Sequence, residues 1–231
     1  RDTMFGGAGN DRYIVDNSSD VIKEGSGQGT DLVQSYASYT IRNNIENLTL
    51  AGSLNINGNG NASANTIRGN SGANTLRGVG GRDTLLGNAG NDTLHGGLGN
   101  DRLLGGDGRD NLYGNGGDDI LNGGSGNDRL LGGDGIDKLI GGNGIDRLTG
   151  GIGDDILTGG GGNDIFQIGK GIGRDLITDY KSGQDSIKVL FEPRDHAITF
   201  NSSGDDIEIN YGSDLLAIVK NITSPSDLTF L

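Results

Sequence analysis

The chain has 231 residues, of which 47 are Gly, 2 are Pro and none is Cys, and its net charge is −13. Asp, at 27, far outnumbers Glu at 4, and Asn reaches 24. Gly, Asn and Asp form poor helices, the lack of Cys excludes disulfides and thiolate chemistry, and so acidic a chain is no nucleic-acid binder, which needs a basic surface.

No apolar run approaches the roughly 20 residues of a membrane helix, so no membrane span is expected. Residues 1–59 begin the chain-order reading. Arg1 to Phe5 looks like the end of a nine-residue unit, as expected of a piece of a longer protein. GGAGNDRYI, from Gly6 to Ile14, is a complete unit, and SGQGTDLVQ, from Ser26 to Gln34, is a partial one. They place Asp11 and Asp31 at the sixth position, two residues out of step with the later spacing, so an ion shared between them is open. The pieces SYTI, ENLTL and LNING then read as strands of wider coils without an acidic column.

Residues 60–167 are twelve consecutive nonapeptides with no insertion or deletion. Examples are GGLGNDRLL from Gly96 and GGDGIDKLI from Gly132. The first residue is always Gly, and the eighth is always apolar, running from Ile67 through ten Leu to Phe166. The sixth is Asn65, Asn74 and then Asp in ten units. A disordered linker has no reason to keep such a phase. One inward apolar residue per unit suits a three-residue strand, with Gly serving a six-residue turn. Six coils make a rod of roughly 29 Å whose thin Leu ladder is too narrow to stabilise it alone.

This pattern resembles the calcium-binding repeats of the repeats-in-toxin (RTX) family, G-G-x-G-x-D-x-U-x with U apolar. The resemblance implies an all-β fold, a parallel β-roll in which two nonapeptides make one coil of 18 residues. Turns 18 residues apart then stack. One column carries Asp83, Asp101, Asp119, Asp137 and Asp155, and the other Asp92, Asp110, Asp128, Asp146 and Asp164. Like charges one coil apart repel by about 0.8 kcal/mol even in water. Carboxylate and carbonyl oxygens suit a hard cation, and a flexible carbonyl-rich cage favours Ca²⁺ over Mg²⁺. Zinc and copper prefer nitrogen or sulfur.

By the same resemblance, each ion lies between stacked turns. The lower turn supplies its Asp and the carbonyls of positions two and four; the upper supplies its Asp and those of positions one and three. One site then takes Gly97, Gly99, Asp101, Gly114, Gly116 and Asp119. Another takes Gly106, Gly108, Asp110, Gly123, Ser125 and Asp128. Higher turns offer Gly124 and Gly126, Gly133 and Gly135, and Gly142 and Gly144 in the same way. About eight full sites are expected. Sites pairing Asn65 with Asp83 or Asn74 with Asp92 lose a charge and should be weak or empty. Turns tied only by Asn and Asp side-chain hydrogen bonds are the alternative.

Residues 168–231 lose the period. DLITDY, DSIKVL, AITF, DIEINY, LLAIVK and LTF read as strands of a small C-terminal β cap over the open end of the roll. GIGRDLITDYKSGQDSIKV resembles the segment that closes RTX rolls; its Asp175, Asp179 and Asp185 read either as solvated turn residues or as ligands of a terminal ion. SPSDLTFL resembles the C-terminal end of type I secretion substrates, which implies a secreted, extracellular bacterial protein and the type I secretion machinery as a partner.

H-E-x-x-H, G-x-S-x-G and P-loop motifs are missing, so no enzyme is expected in this stretch. His95 and His196, the latter beside Pro193 and Asp195, read as surface residues. Two outer faces are candidate contact surfaces. Arg77, His95, Tyr113, Arg129 and Arg147 form a stripe that reads as ordinary solvated residues or, in the alternative of a carbohydrate-binding or adhesive module, as a face for an acidic polysaccharide. Leu86, Leu104, Ile120, Ile140 and Ile156 form an aliphatic ladder suited to a neighbouring domain of the parent protein, a second copy or the cap.

Overall fold

The computed structural model describes residues 1–169, 173–190, 198–222 and 224–231. His196, Pro193 and Asp195 lie outside them. The described chain is all-β apart from one 3-10 turn, Pro225–Asp227. Its strands form a parallel β-solenoid of about ten turns, with one thirteen-stranded sheet, one nine-stranded sheet and a two-stranded sheet at the N-terminal end.

The nonapeptide period builds both large sheets. Each coil sends one strand to each sheet, so Thr84–Ala89 pairs with Arg102–Asp107 while Thr93–Leu98 pairs with Asn111–Gly116. The offset is 18 residues throughout, which puts Leu85, Leu103, Leu121, Leu139 and Leu157 in one row. Leu76, Leu94, Leu112, Leu130, Leu148 and Phe166 form the row of the other sheet. All are fully buried. The core is therefore two rows rather than one, joined in a single apolar cluster from Tyr13 to Ile222.

The strands are longer than the three residues expected. Ten of the twelve run six residues, from position seven through position three of the next unit, and only Thr66–Arg68 and Ile165–Ile168, at the two ends of the array, are shorter. A second buried position follows the Leu, and it is the first-position Gly, as at Gly105 and Gly132. With no side chain there, the strand continues inward beside the turn. The kink comes one residue later, at position two, where Gly97 has φ 119°.

The N-terminal coils are uneven rather than uniformly wider. Arg12–Val15 pairs with Leu32–Ser35 after 20 residues, and that strand pairs with Asn47–Leu50 after only 15. At the other end parallel pairing runs on past Gln167, through Asp175–Ile177 in one sheet and Ser186–Val189 in the other. Ile198–Ser203, Asp206–Tyr211 and Asp214–Val219 then close the larger sheet as an antiparallel meander. The LTF segment is not a strand. It docks on Ser186–Val189, with the Ile187 N–H donating to the Thr229 carbonyl at 2.8 Å.

Candidate metal centre

The ten sixth-position Asp end up in the two expected columns, and none is more than 2% exposed. Each accepts, through Oδ1, the backbone N–H of the sixth-position residue one coil below. Asp101 donates to Asp119 at 2.7 Å, and Asp128 to Asp146 at 2.7 Å. The bond locks every carboxylate in one orientation. Its other oxygen, Oδ2, is buried with no hydrogen-bond partner in all ten. A buried, unpaired carboxylate oxygen is costly. Ten in register call for a positive partner.

The free Oδ2 converges with a backbone carbonyl oxygen beside the first-position Gly. A Cβ built on Gly141 would fall 2.5 Å from both Asp146 Oδ2 and the Gly159 carbonyl oxygen. The same two kinds of oxygen face Gly78, Gly87, Gly96, Gly105, Gly114, Gly123 and Gly132. Position-two and position-four carbonyls point across the gap toward the turn above, as Gly133 and Gly135 do toward Gly151 and Gly153. Position-three carbonyls point down, the Gly116 oxygen accepting the Gly99 N–H at 2.8 Å. The residues present thus fit a hard divalent cation between stacked turns.

Burial raises these carboxylates. It pushes Asp83, Asp119 and Asp137 up to about 7, and Asp92, Asp110, Asp128 and Asp146 up to about 6. Asp101, Asp155 and Asp164 are raised by the same cause.

The two Asn turns are built differently. Asn65 Oδ1 accepts the Asn61 N–H at 2.8 Å, and its amide nitrogen donates to the Ile45 carbonyl at 3.2 Å. Asn74 repeats this with the Asn70 N–H at 2.8 Å and the Ile56 carbonyl at 2.7 Å. No orphan oxygen is left on either.

The N-terminal coils hold acidic groups that the period did not reveal. Asp11 and Asp31 come together, with the Asp11 N–H donating to Asp31 Oδ1 at 2.8 Å, and Glu24 joins them. A Cβ at Gly6 would meet Asp11 Oδ2, Glu24 Oε2 and the Tyr13 hydroxyl, the same cradle with a side chain in place of a carbonyl. Asp2, Asp16 and Asp20 form a second such group. Glu46 sits in the Asp31 column and accepts the Asp31 N–H at 2.8 Å, so this stretch does carry an acidic position.

The structure divides Asp175, Asp179 and Asp185. Asp175 lies over Asp155; burial, and then the Asp155 charge, push it up to about 8. Asp179 accepts the N–H groups of Gly159 and Gly160, both at 2.8 Å. Asp185 accepts the Asp164 N–H at 2.9 Å. The outer faces divide as well. Arg77, His95 and Tyr113 share one row, with the His95 and Tyr113 rings stacked at 4.8 Å, whereas Arg129 and Arg147 lie in another. The aliphatic ladder is broken in the same way. Asn122 stands between Leu104 and Ile140, and Ile120 and Ile156 belong to a separate row interrupted by Lys138.

Among known proteins, residues 1–22, 59–94, 95–130 and 131–166 match four copies of the RTX calcium-binding nonapeptide repeat. A 51-residue stretch is 43% identical to the endo-1,3-1,4-beta-glycanase ExsH of Rhizobium meliloti (strain 1021), covering 22% of this chain and 11% of that protein. The extracellular lipase LipA from Serratia marcescens aligns over 87% of this chain and 44% of its own, at 15% identity and a TM-score of 0.34. This chain therefore spans less than half the length of either. Among the described residues no helix is long and apolar enough to cross a membrane. The repeat matches cover more than half of the chain and coincide with the buried Asp columns, so the chain belongs to the RTX calcium-binding nonapeptide repeat family.

Proposed function

We propose that this β-roll is a calcium-conditional folding module of a secreted bacterial protein. It stays unfolded for export by a type I system and folds in calcium-rich surroundings, where it stabilises the parent protein. The observation that carries this reading is the run of ten buried Oδ2 atoms without hydrogen-bond partners. On this reading each ion is held between turns, for example by Asp101 and the carbonyls of Gly97 and Gly99 below, and by Asp119 and the carbonyls of Gly114 and Gly116 above. Eight such gaps lie between the ten Asp, and Asp11, Asp31 and Glu24 hold a further ion at the N-terminal end. What the ion supplies is charge: it replaces repulsion along each column with bridging.

Magnitude supports the conditional part. Extracellular calcium modules bind at about 10⁻⁴–10⁻³ M. At ~1 mM calcium each site then adds roughly 0.4–1.4 kcal/mol, and eight add roughly 3–11 kcal/mol. That is comparable to the stability of a whole domain, and at submicromolar calcium it vanishes. Circular dichroism against calcium, with magnesium as control, tests the reading. The β signal is expected to appear cooperatively with calcium alone. A chelator-treated sample with an unchanged spectrum and melting point would refute it.

A further inference from the structure

Three cations of the roll gather in one groove with no acid of the chain to pair them. Arg109, Arg129 and Arg147, with Asn111, Asn127 and Gln167, line a groove of about 640 Å³ on the nine-stranded sheet. Arg129 stands between Asn111 and Arg147 on neighbouring strands, and Gln167 comes from the strand after that. Four consecutive strands therefore contribute, a span of about 14 Å at the usual strand spacing. All three Arg side chains are exposed. Among the described residues no ion pair reaches any of them, although the chain has 31 acidic residues to 18 basic ones. Arg129 and Arg147 face each other across one strand spacing, where like charges repel.

The groove offers donors and almost no acceptors. A guanidinium only donates. Asn127 Oδ1 already takes the Ile145 N–H at 2.8 Å, and Gln167 Oε1 takes the Thr149 hydroxyl at 2.8 Å, which leaves the amide NH₂ groups. Asp128 also borders the groove but is 2% exposed, and its Oδ1 takes the Asp110 N–H at 2.8 Å. Its Oδ2 belongs to the calcium column on the reading above. A ligand here must bring the acceptors. Guanidiniums grip oxyanions two oxygens at a time, and the amides among them suit uncharged oxygens. A saccharide chain with acidic groups carries both kinds along its length. A lone inorganic anion fills little of a groove this long.

We infer that this groove binds an acidic polysaccharide through Arg109, Arg129 and Arg147 once calcium has assembled the roll. The calcium dependence rests on the proposed function. The three Arg are 20 and 18 residues apart in sequence and meet only when the coils stack. Eight ions of two charges each also take the formal net charge from −13 to +3, which removes the long-range repulsion of an anion.

Isothermal titration calorimetry of the whole chain at saturating calcium tests this, with circular dichroism of the same sample reporting the fold. Hexasaccharides of chondroitin sulfate and hyaluronan are the probes, and a neutral dextran oligosaccharide is the control. An acidic probe is expected to bind, more weakly as salt rises, and the neutral one not to bind. Arg129→Gln together with Arg147→Gln should weaken binding about ten-fold or more. Arg102→Gln, an exposed side chain of the other sheet, should leave it unchanged. A folded roll that binds neither acidic probe, or binds them as well after the double substitution, overturns this inference alone. Equal binding of polyglutamate or single-stranded DNA overturns it too. A spectrum that ignores calcium overturns the calcium reading and the calcium dependence inferred here, while the two Arg substitutions still decide the groove.

Discussion

The Asp119 backbone N–H donates to Asp137 Oδ1 at 2.8 Å, and Asp137 Oδ2 remains buried without a partner. Asp119 plays both parts, since its own Oδ1 accepts from Asp101 at 2.7 Å. In mid-column a single carboxylate thus borders two inter-turn gaps. Asp119→Ala should weaken two calcium sites together and lower stability in ~1 mM calcium by roughly 1–3 kcal/mol. A calcium titration followed by circular dichroism should show the midpoint moved upward. An unmoved midpoint would mean that the column does not bind the ion.

The buried carboxylates also fix the response to pH. Their ordinary value is 3.8, and burial raises Asp83, Asp119 and Asp137 to about 7. Between about pH 4 and 7 the ion-free folded state therefore binds more protons than the unfolded chain. Its stability is highest at the acid end and is lost as pH rises through that window. In chelator, far-UV circular dichroism should gain β signal as pH falls from 7.5 to 5. Calcium must displace the same protons, so the calcium midpoint should be higher at pH 5.5 than at pH 7.5. Both trends are measurable on one sample.

Gly141 offers a steric test that leaves every carboxylate in place. An Ala there puts its Cβ 2.5 Å from Asp146 Oδ2 and from the Gly159 carbonyl oxygen, inside the cradle itself. Gly141→Ala should abolish one calcium site, a loss of roughly 0.4–1.4 kcal/mol in ~1 mM calcium plus the cost of the clash. Gly80→Ala is the control, because its Cβ would meet nothing closer than the Leu98 carbonyl oxygen at 3.8 Å. It should stay within about 0.5 kcal/mol of wild type. Isothermal titration calorimetry of both variants separates site loss from general destabilisation.

Much of this architecture was legible because side chains at a fixed interval must share an environment once the chain coils. Leu85 and Leu103 could be placed in one buried row, and Asp101 over Asp119, from spacing alone. Glu24 and Glu46 could not. They sit in coils of 20 and 15 residues, where the 18-residue count fails and a Glu fills a place held elsewhere by a carbonyl or an Asp. Asn61 and Asn70 were missed for another reason. Their side chains bond carbonyls of the coil below, Asn61 to Ile45 at 2.9 Å and Asn70 to Leu54 at 2.9 Å, and nothing in the nonapeptide reports on an irregular neighbour. The cap was readable only as strands, since which carboxylate meets Asp155 depends on the length of an aperiodic coil.

Val79 is a local misfit with a simple remedy. It occupies position two, where Gly97 and Gly106 adopt φ of 119° and 113°, and is itself held at φ 91°. A β-branched residue there is strained, at a cost of about 1–3 kcal/mol. Its side chain is 51% exposed, so little packing offsets the strain. Glycine would relieve it while adding about 0.5–1 kcal/mol of unfolded-state entropy. Val79→Gly should therefore stabilise the roll by roughly 1 kcal/mol, with calcium stoichiometry unchanged. Urea unfolding in calcium should give a higher midpoint at an unaltered slope.

Asp179 closes column two without acting as a member of it. Its Oδ1 and Oδ2 accept the N–H groups of Gly159 and Gly160, both at 2.8 Å, and Lys181 Nζ donates to the Gly160 carbonyl. A carboxylate and an ammonium of the chain thus satisfy the last turn, where lower turns meet the next nonapeptide. Bonds to a charged group contribute about 1.5–3 kcal/mol each, less when solvent reaches them. Asp179→Ala should cost about 2 kcal/mol and leave the number of bound calcium ions unchanged, in contrast to Asp119→Ala. Urea unfolding at saturating calcium, with ion counting by native mass spectrometry, tells the two apart. A lost ion in Asp179→Ala would make Asp179 a ligand rather than a plug.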